Sequence, residues 1–550
     1  MNKNFYLSAL LAITLVGCKS TQTVQKSATD TSKASYSLNI SDKSLLTAPN
    51  YFFAKKADLP EEQMKRWSHL DLVKDSVPGM SVDRAYAELI KGKKGDKVVV
   101  AVIDSGIDIH HEDLKYAIWN NPNEIPGNGI DDDNNGLIDD IHGWNYLGDT
   151  NEENMEFVRI LKKGDDGSQQ YKNAVEKLKE EQEGAIPIQM LAKQYTDAYE
   201  LLKKATGKEK FVQEDLDALG DNLSEELETA KKMFSNLFKR GRDVGYVNDI
   251  NKQAKAYTDY YLNLDFNGRK VNDNLNDLND KFYGDNDVYG NSDHALHGTH
   301  VAGIIAQKRG NGLGGDGVIN DNVQIMSLRV VPDGDEYDKD VALAIRYAVD
   351  NGAKVINGSF GKYFETDSQW VYDAIEYAAT KDVLLVMAAG NDALDLNGET
   401  FIDRYPNDRH NKRMITIAPN FLVVGALNPT YGENLVAGFS NFGHVDVDVF
   451  APGVKIYATA PEGQYRYLQG TSMASPNVAG VAAMIRSFYP TLKAWEVKQI
   501  IMESGIAVDN EVIVSGNKED KRNFKNISTS GRMVNLYNAL IMADRMVSKK

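Results

Sequence analysis

Three short stretches of this 550-residue chain hold residue types that can act together as a catalyst. Asp104 lies in Val-Ile-Asp-Ser-Gly-Ile-Asp, His297 opens His-Gly-Thr-His-Val-Ala-Gly, and Ser472 lies in Gly-Thr-Ser-Met-Ala-Ser-Pro. A neutral hydroxyl is a weak nucleophile and needs a base beside it. An imidazole serves as that base when a carboxylate fixes its tautomer and offsets the charge it gains. Each stretch alone is ordinary, because acids often end strands and such serines often begin helices. All three together, in the order Asp, His, Ser, are far more specific than any one.

That order resembles the subtilases, the subtilisin-like serine peptidases. The resemblance runs over about residues 67–144 and 286–545. Ala388-Ala389-Gly390-Asn391 matches the segment that supplies the family's oxyanion-hole asparagine, Asn391. Ser359-Phe360-Gly361 and the segment Gly334 to Tyr337 match the two strand edges between which an extended peptide lies as an added strand. Phe450-Ala451-Pro452-Gly453 also fits, whereas Gly358 stands where the family more often has methionine, a change of packing rather than chemistry. The resemblance implies a serine endopeptidase in which His297 takes the Ser472 proton and Asp104 holds the imidazole. His297 must be neutral to act, so activity should fall below about pH 6–7. The floor of the primary pocket falls near Asp403-Arg404-Tyr405-Pro406. Asp403 pointing inward favours basic side chains, Arg404 inward favours acidic ones, and both outward leaves an apolar pocket. His300, one helical turn from His297, and His111 read as packing and loop residues rather than metal ligands. Asp113, and with a one-residue gap Asn311, match positions that hold structural calcium in the family.

Residues so far apart in the chain need a rigid frame. Lys97 to Ile103 is an almost wholly apolar run that ends at Asp104, and similar runs recur at Val323 to Val331, Ala353 to Ile356, Val383 to Met387 and Phe421 to Val424. Strands apolar on both faces belong in a parallel sheet covered by helices. Helical patterns lie between several of them, over Val341 to Val349 and Ser368 to Thr380, and residues 81–92 also read as helix. The alternation predicts an α/β fold with a doubly wound, mostly parallel sheet. From about residue 155 to 265 the rhythm changes to amphipathic helices without strands. Leu191, Tyr195, Ala198 and Leu202 keep helical spacing, as do Leu223, Leu227, Ala230, Phe234 and Leu237, and again Ile250, Ala254, Tyr257, Tyr261 and Leu264. Asn222 followed by Glu225 suits a helix start, and Pro187 and Gly207 read as breaks. This predicts an all-α insertion between the Asp and His motifs. Its aromatic stripes form its core or, alternatively, a surface for a protein partner.

The N-terminus reads as an address. Lys3 precedes the apolar run Leu7 to Val16, and Gly17-Cys18 follows. A basic start, a short apolar stretch and a small-residue end make a secretion signal too short to span a bilayer. A cysteine at that point resembles the lipobox of bacterial lipoproteins, in which the thiol takes a diacylglycerol. Cys18 is the sole cysteine, so no intramolecular disulfide exists. The expected location is the bacterial cell envelope, membrane-anchored and facing the periplasm or exterior. The division is then 1–18 signal peptide, 19–66 tether and N-terminal extension, 67–150 with 286–550 peptidase domain, and 151–285 helical insertion with its connecting loop. Residues 36–66 read as a short pro-segment or a structural extension. A net charge of −17 weighs against nucleic acid as a partner and leaves polypeptide substrates and the membrane. In the run Asp131 to Asp140, oxygen side chains alternate before a glycine and a further acid, as in loops that wrap calcium. The ligands would be Asp131, Asp133, Asn135 and Asp139. An EF-hand would need its last ligand at His142, so this is a shorter calcium loop or a plain acidic turn.

Overall fold

The computed structural model describes residues 38, 40, 43–48, 58–220, 222–239, 242–398, 404–409 and 416–550. Cys18 and Asp403 lie outside these residues. The strands of the main sheet and of the hairpin beside the site, in chain order, are β1 (Val98–Asp104), β2 (Gly143–Asn145), β3 (Val323–Arg329), β4 (Val355–Gly358), β5 (Leu384–Ala388), β6 (Phe421–Leu427), β7 (Val449–Pro452), β8 (Ile456–Ala460), β9 (Gln464–Leu468), β10 (Ile506–Ala507) and β11 (Arg532–Met533); a further short pair, Glu511–Ile513 with Lys521–Asn523, stands apart. Nine of them form one sheet in the order β10-β11-β7-β6-β5-β4-β1-β3-β2, and β8 and β9 pair as a separate hairpin. The sheet is parallel except for the β10–β11 pair. β1 sits between β3 and β4 in register, with Asp104 opposite Arg329. The chain therefore reverses its direction of travel across the sheet at β1, and the carboxyl end of such a strand is where ligands bind.

The helices that matter here are α1 (Glu156–Lys162), α2 (Gln169–Thr206), α3 (Gln213–Asp217), α4 (Glu225–Lys239), α5 (Tyr246–Ala256), α6 (Leu296–Ala306), α7 (Asp338–Asp350), α8 (Ser368–Thr380), α9 (Thr471–Phe488), α10 (Ala494–Ser504) and α11 (Leu536–Ser548). α9 is buried along almost its whole length, which its Ala, Gly and Val composition allows at close range to the sheet. β1 and β3 to β6 are buried on both faces, as uninterrupted apolar runs require. β2, β7, β10 and β11 were not legible because two to four residues carry no periodicity. Residues 81–92 form a short helix, Val82–Ala85, that widens into a π-type turn over Tyr86–Ile90.

The segment between β2 and α6 folds on itself. Ala198, Leu202, Phe211, Leu216, Ala230, Phe234, Leu237 and Val247 make its own core. Three sequence expectations fail here. Pro187 does not break α2, which continues from Gln169 to Thr206. A proline removes one intrahelical hydrogen bond, and good helix formers on both sides carry the helix through. Leu191 is exposed beside Met190 and Ile186 rather than in the core. Gly207 does end α2, in a left-handed conformation, and Ser224 rather than Asn222 caps α4 by accepting from the Leu227 amide.

A buried ionic cluster fixes this segment to the sheet domain. Glu156 pairs with Arg159 and with Lys362, which also pairs with Asp338. Burial opposes the ionised Glu156, but Arg159 and Lys362 hold its carboxyl well below the usual carboxylate range. Leaving one member of such a cluster unpaired costs about 3–5 kcal/mol, so α1 is docked rather than hinged. At the other end of the chain, Leu46 donates its amide to Asn538 Oδ1 at 2.7 Å and accepts from Asn538 Nδ2 at 2.9 Å. Arg66 pairs with Asp83 and Asp316. Residues 43–48 and 58–66 thus belong to the folded domain. No helix among the described residues is long and apolar enough to cross a membrane.

Candidate active site

Asp104 ends β1 and is almost fully buried. Its Oδ1 accepts from the Ser105 amide at 2.8 Å and lies 2.7 Å from His297 Nδ1, while Oδ2 is buried without a hydrogen-bond partner among the described residues. His297 is the second residue of α6. The helix comes this close because residue 298 is glycine: a Cβ there would lie 2.2 Å from the Gly106 carbonyl oxygen. Burial works against the imidazolium, but the charge of Asp104 and its hydrogen bond outweigh burial and raise the His297 pKa. His300 is a different case. Its Nε2 meets the carbonyls of Ile456 at 3.1 Å and Arg466 at 3.0 Å, and burial pushes its pKa down to about 4. It is a neutral strut to the β8–β9 hairpin, as expected of a packing histidine.

Ser472 is the second residue of α9, so its own amide has no partner within the helix. Its hydroxyl donates to the Ser359 carbonyl at 3.1 Å, and the Ser359 hydroxyl donates back to the Ser472 carbonyl at 2.9 Å. Asn391 stands at the end of the segment after β5. Its Oδ1 accepts from the Thr471 amide at 2.8 Å and from the Thr471 hydroxyl at 3.0 Å. An amide can only donate, so the oxygen is fixed there and Nδ2 is the free face. Asn391 and Ser472 line the same groove, of about 350 Å³. Its neighbour, of about 480 Å³, is lined by His297 and shares Asp335, Ser359, Phe360 and Gly361 with it.

The far wall of this groove has its back sealed. Asp333 donates its amide to Asn151 at 2.7 Å and accepts from the Glu153 amide at 2.9 Å, and Asp335 donates to Asn154 at 3.3 Å. Backbone groups alternate in direction along a strand, so Gly334 turns its amide and carbonyl to the groove. With φ at +139° and a Cβ that would meet the Glu153 oxygen at 2.3 Å, only glycine fits there. Tyr337 is a correction to the sequence reading. Its ring lies under the guanidinium groups of Arg159 at 4.0 Å and Arg269 at 4.5 Å, and its hydroxyl donates to Glu153. It belongs to the contact with the helical insertion, not to the groove. Gly358 makes room for Met387: a Cβ would lie 2.4 Å from the Met387 sulfur, so a methionine from the next strand fills the space.

Sequence reasoning missed several residues. Asn441 accepts the Asp392 and Leu394 amides and donates to the Ala389 carbonyl, which shapes the turn that carries Asn391. Met155, Phe157, Lys177 and Glu181 from the insertion line the groove beside Ser472, and Lys252 lines the one beside His297. A single buried asparagine and scattered helix residues give no local signal.

The acidic loop departs from the expected ligand set. Asp131 accepts the Asn135 and Gly136 amides, and Asp139 accepts the Gly127 and Gly129 amides, so both are turn-makers. Asn135 spends its oxygen on the Leu137 amide and its nitrogen on Asp140. The oxygens that converge belong to Glu124, Asp133 and Asp140, all within 4.8 Å of one another. Glu124 Oε2 is buried without a hydrogen-bond partner among the described residues, which suits a cation. Asp113 likewise keeps a buried Oδ2 with no hydrogen bond among the described residues, while its Oδ1 accepts from Asn311 Nδ2 at 2.6 Å.

Comparison with known proteins bears on the whole arrangement. The model of the Subtilase family matches residues 95–527. A thermophilic serine proteinase from Bacillus sp. (strain AK1) is 39% identical over 208 residues, covering 37% of this chain and 45% of the relative. Fervidolysin from Fervidobacterium pennivorans is 34% identical over 247 residues, covering 40% and 32%. Subtilisin DY from Bacillus licheniformis is 36% identical over 209 residues, covering 38% and 69%. A solved structure of proteases from Pseudoalteromonas arctica PAMC 21717 overlaps 45% of this chain and 70% of that one, at 28% identity and a TM-score of 0.35. The chain thus spans less than half the length of the first two relatives. With the family model covering most of its length, the chain belongs to the subtilase family.

Proposed function

We propose that this chain is a serine endopeptidase that hydrolyses polypeptides at the Asp104, His297 and Ser472 site. The observation that carries the reading is the hydrogen-bonded pair of buried Asp104 and half-exposed His297, whose groove adjoins the one lined by Ser472 and Asn391 and shares Ser359 to Gly361 with it. A peptide lies extended between Gly334 and Ser359 to Gly361. The Ser472 hydroxyl turns from the Ser359 carbonyl and its oxygen bonds to the substrate carbonyl carbon while His297 takes the proton. The carbonyl oxygen becomes negative and is met by Asn391 Nδ2 and the Ser472 amide, at the positive end of α9. Collapse breaks the C–N bond, and His297 gives its proton to the leaving amine. A water molecule then repeats the sequence and releases the acid. The test is labelling of the full chain by an active-site fluorophosphonate and cleavage of denatured casein, with Ser472→Ala as control. A dedicated processing protease is the second reading, favoured by the exposed Ile186, Met190 and Leu191 on α2, where a partner would dock. Ready cleavage of casein counts against it.

The envelope location rests on the Leu15-Val16-Gly17-Cys18 sequence. In a bacterial host the wild-type chain should incorporate labelled fatty acid and sediment with membranes, and Cys18→Ala should do neither. Equal sedimentation of both would remove the lipid anchor from this reading.

Calcium is the proposed structural cofactor, held by Glu124, Asp133 and Asp140. Free calcium at 100 times its dissociation constant stabilises the folded state by ~2.7 kcal/mol. Chelation should therefore lower the Tm of the wild type by several degrees, and Glu124→Gln should shrink that difference. A Tm indifferent to chelation in both proteins would dismiss the ion.

A further inference from the structure

The side chain of Arg404 enters the groove between its two glycine-bearing walls. A Cβ on Gly361 would lie 2.4 Å from one terminal guanidinium nitrogen, and a Cβ on Gly390 would lie 2.7 Å from Nε. The backbone beneath is fixed by paired hydrogen bonds between Tyr405 and Lys362, each 2.9 Å, and by Asn407 donating to the Arg404 carbonyl at 2.8 Å. Arg404 shares the groove lining with Ser472 and Asn391. The guanidinium therefore stands where the side chain on the acyl side of the scissile bond must enter.

Among the described residues nothing answers the charge of Arg404. Among the described residues its one hydrogen bond runs to the Phe360 carbonyl at 2.6 Å, and no carboxylate lies within ion-pair distance. The nearby acids are committed elsewhere. Asp392 accepts from the Tyr363 hydroxyl and Asp335 from the Glu156 amide, while Lys177 at the rim is balanced by Glu181. The Glu336 carboxyl is buried, burial pushes its pKa up to about 7, and among the described residues it makes no ion pair with Arg404. Burial lowers the Arg404 pKa, but a guanidinium has five N–H donors and stays protonated. A partly desolvated guanidinium with free donors is a receptor for a carboxylate.

Building on the peptidase reading above, we propose that Arg404 makes the enzyme select aspartate or glutamate at the residue that contributes the scissile carbonyl. The substrate carboxylate completes the ion pair that the described residues leave open. The bond is made in the acylation transition state as well as on binding, so selection shows in kcat/KM.

The test uses the full-length protein and a peptide series identical except at that residue: Glu, Asp, Gln, Ala, Leu and Lys. Glu should exceed its neutral isostere Gln by about 10²-fold in kcat/KM, the scale of a charge-assisted hydrogen bond in a partly desolvated site. Arg404→Leu should lose that factor on Glu and gain on Leu, and Arg404→Lys should retain part of the preference. Wild-type cleavage after Gln as fast as after Glu would overturn the proposal, and needs no variant. So would cleavage confined to Ala, which would make the guanidinium a plug that merely shortens the pocket. Failure of the wild type to take the fluorophosphonate would instead sink the underlying peptidase reading, and that result is separate from any peptide preference.

Discussion

Replacing Ser472 with alanine lowers kcat on peptide substrates by a factor on the order of 10⁶, the size known for the equivalent loss in subtilisin itself. It also abolishes fluorophosphonate labelling. The loss is this large because the hydroxyl is the sole atom that bonds to the substrate, so the His297–Asp104 pair has nothing left to activate. The structural cost is small. The hydroxyl makes one hydrogen bond, to the Ser359 carbonyl, worth roughly 1 kcal/mol net. An unchanged thermal transition with lost activity is therefore the expected pair of results. Residual activity within about tenfold of wild type would mean that another group is the nucleophile.

Asp104→Asn lowers kcat by about 10⁴, the size known for the equivalent change in a serine peptidase, because an amide in place of the carboxylate favours the wrong histidine tautomer. It has a second signature that a merely structural change lacks. In the wild type the Asp104 charge and its hydrogen bond outweigh burial and raise the His297 pKa above its ordinary value near 6.5. His297 is then protonated, and activity lost, as the pH falls through that raised value. Asparagine removes the raising terms and leaves burial, which favours neutral imidazole. The acid limb of kcat/KM should therefore move to lower pH while its plateau falls. A pH profile of both proteins reads the two effects separately. An acid limb that stays in place would exclude His297 as the titrating base.

The frame was legible where physics left long signals. β1 and β3 to β6 announced themselves because a strand covered on both faces must be apolar at every position, not at alternate ones. The triad stretches were legible because close approach also constrains their neighbours, as Gly298 does beside His297. Other features are decided by distant partners and leave no local trace. Tyr337 sits in a segment that should face substrate, yet two arginines from the insertion and its flanking loop claim its ring. Asp131 and Asp139 have the right spacing for ligands, but they satisfy amides of their own turns, and the buried unpartnered oxygen is on Glu124. Arg404 and Asp403 could not be ranked from sequence because adjacent residues in an extended segment point to opposite sides, and register decides which one faces in.

The sheet order has a consequence for timing. β1 pairs with β3 only after the helical insertion has been made, and that insertion more than doubles the intervening loop, at a closure cost of only ~1 kcal/mol. The insertion can gather its own core from neighbouring helices meanwhile. Ser472 arrives late in the chain, and β11, which joins β7 to β10 at the sheet edge, later still. A growing polypeptide thus carries the acid and the base long before it carries the nucleophile. The proposed nucleophile joins Asp104 and His297 only once the chain has been made as far as α9.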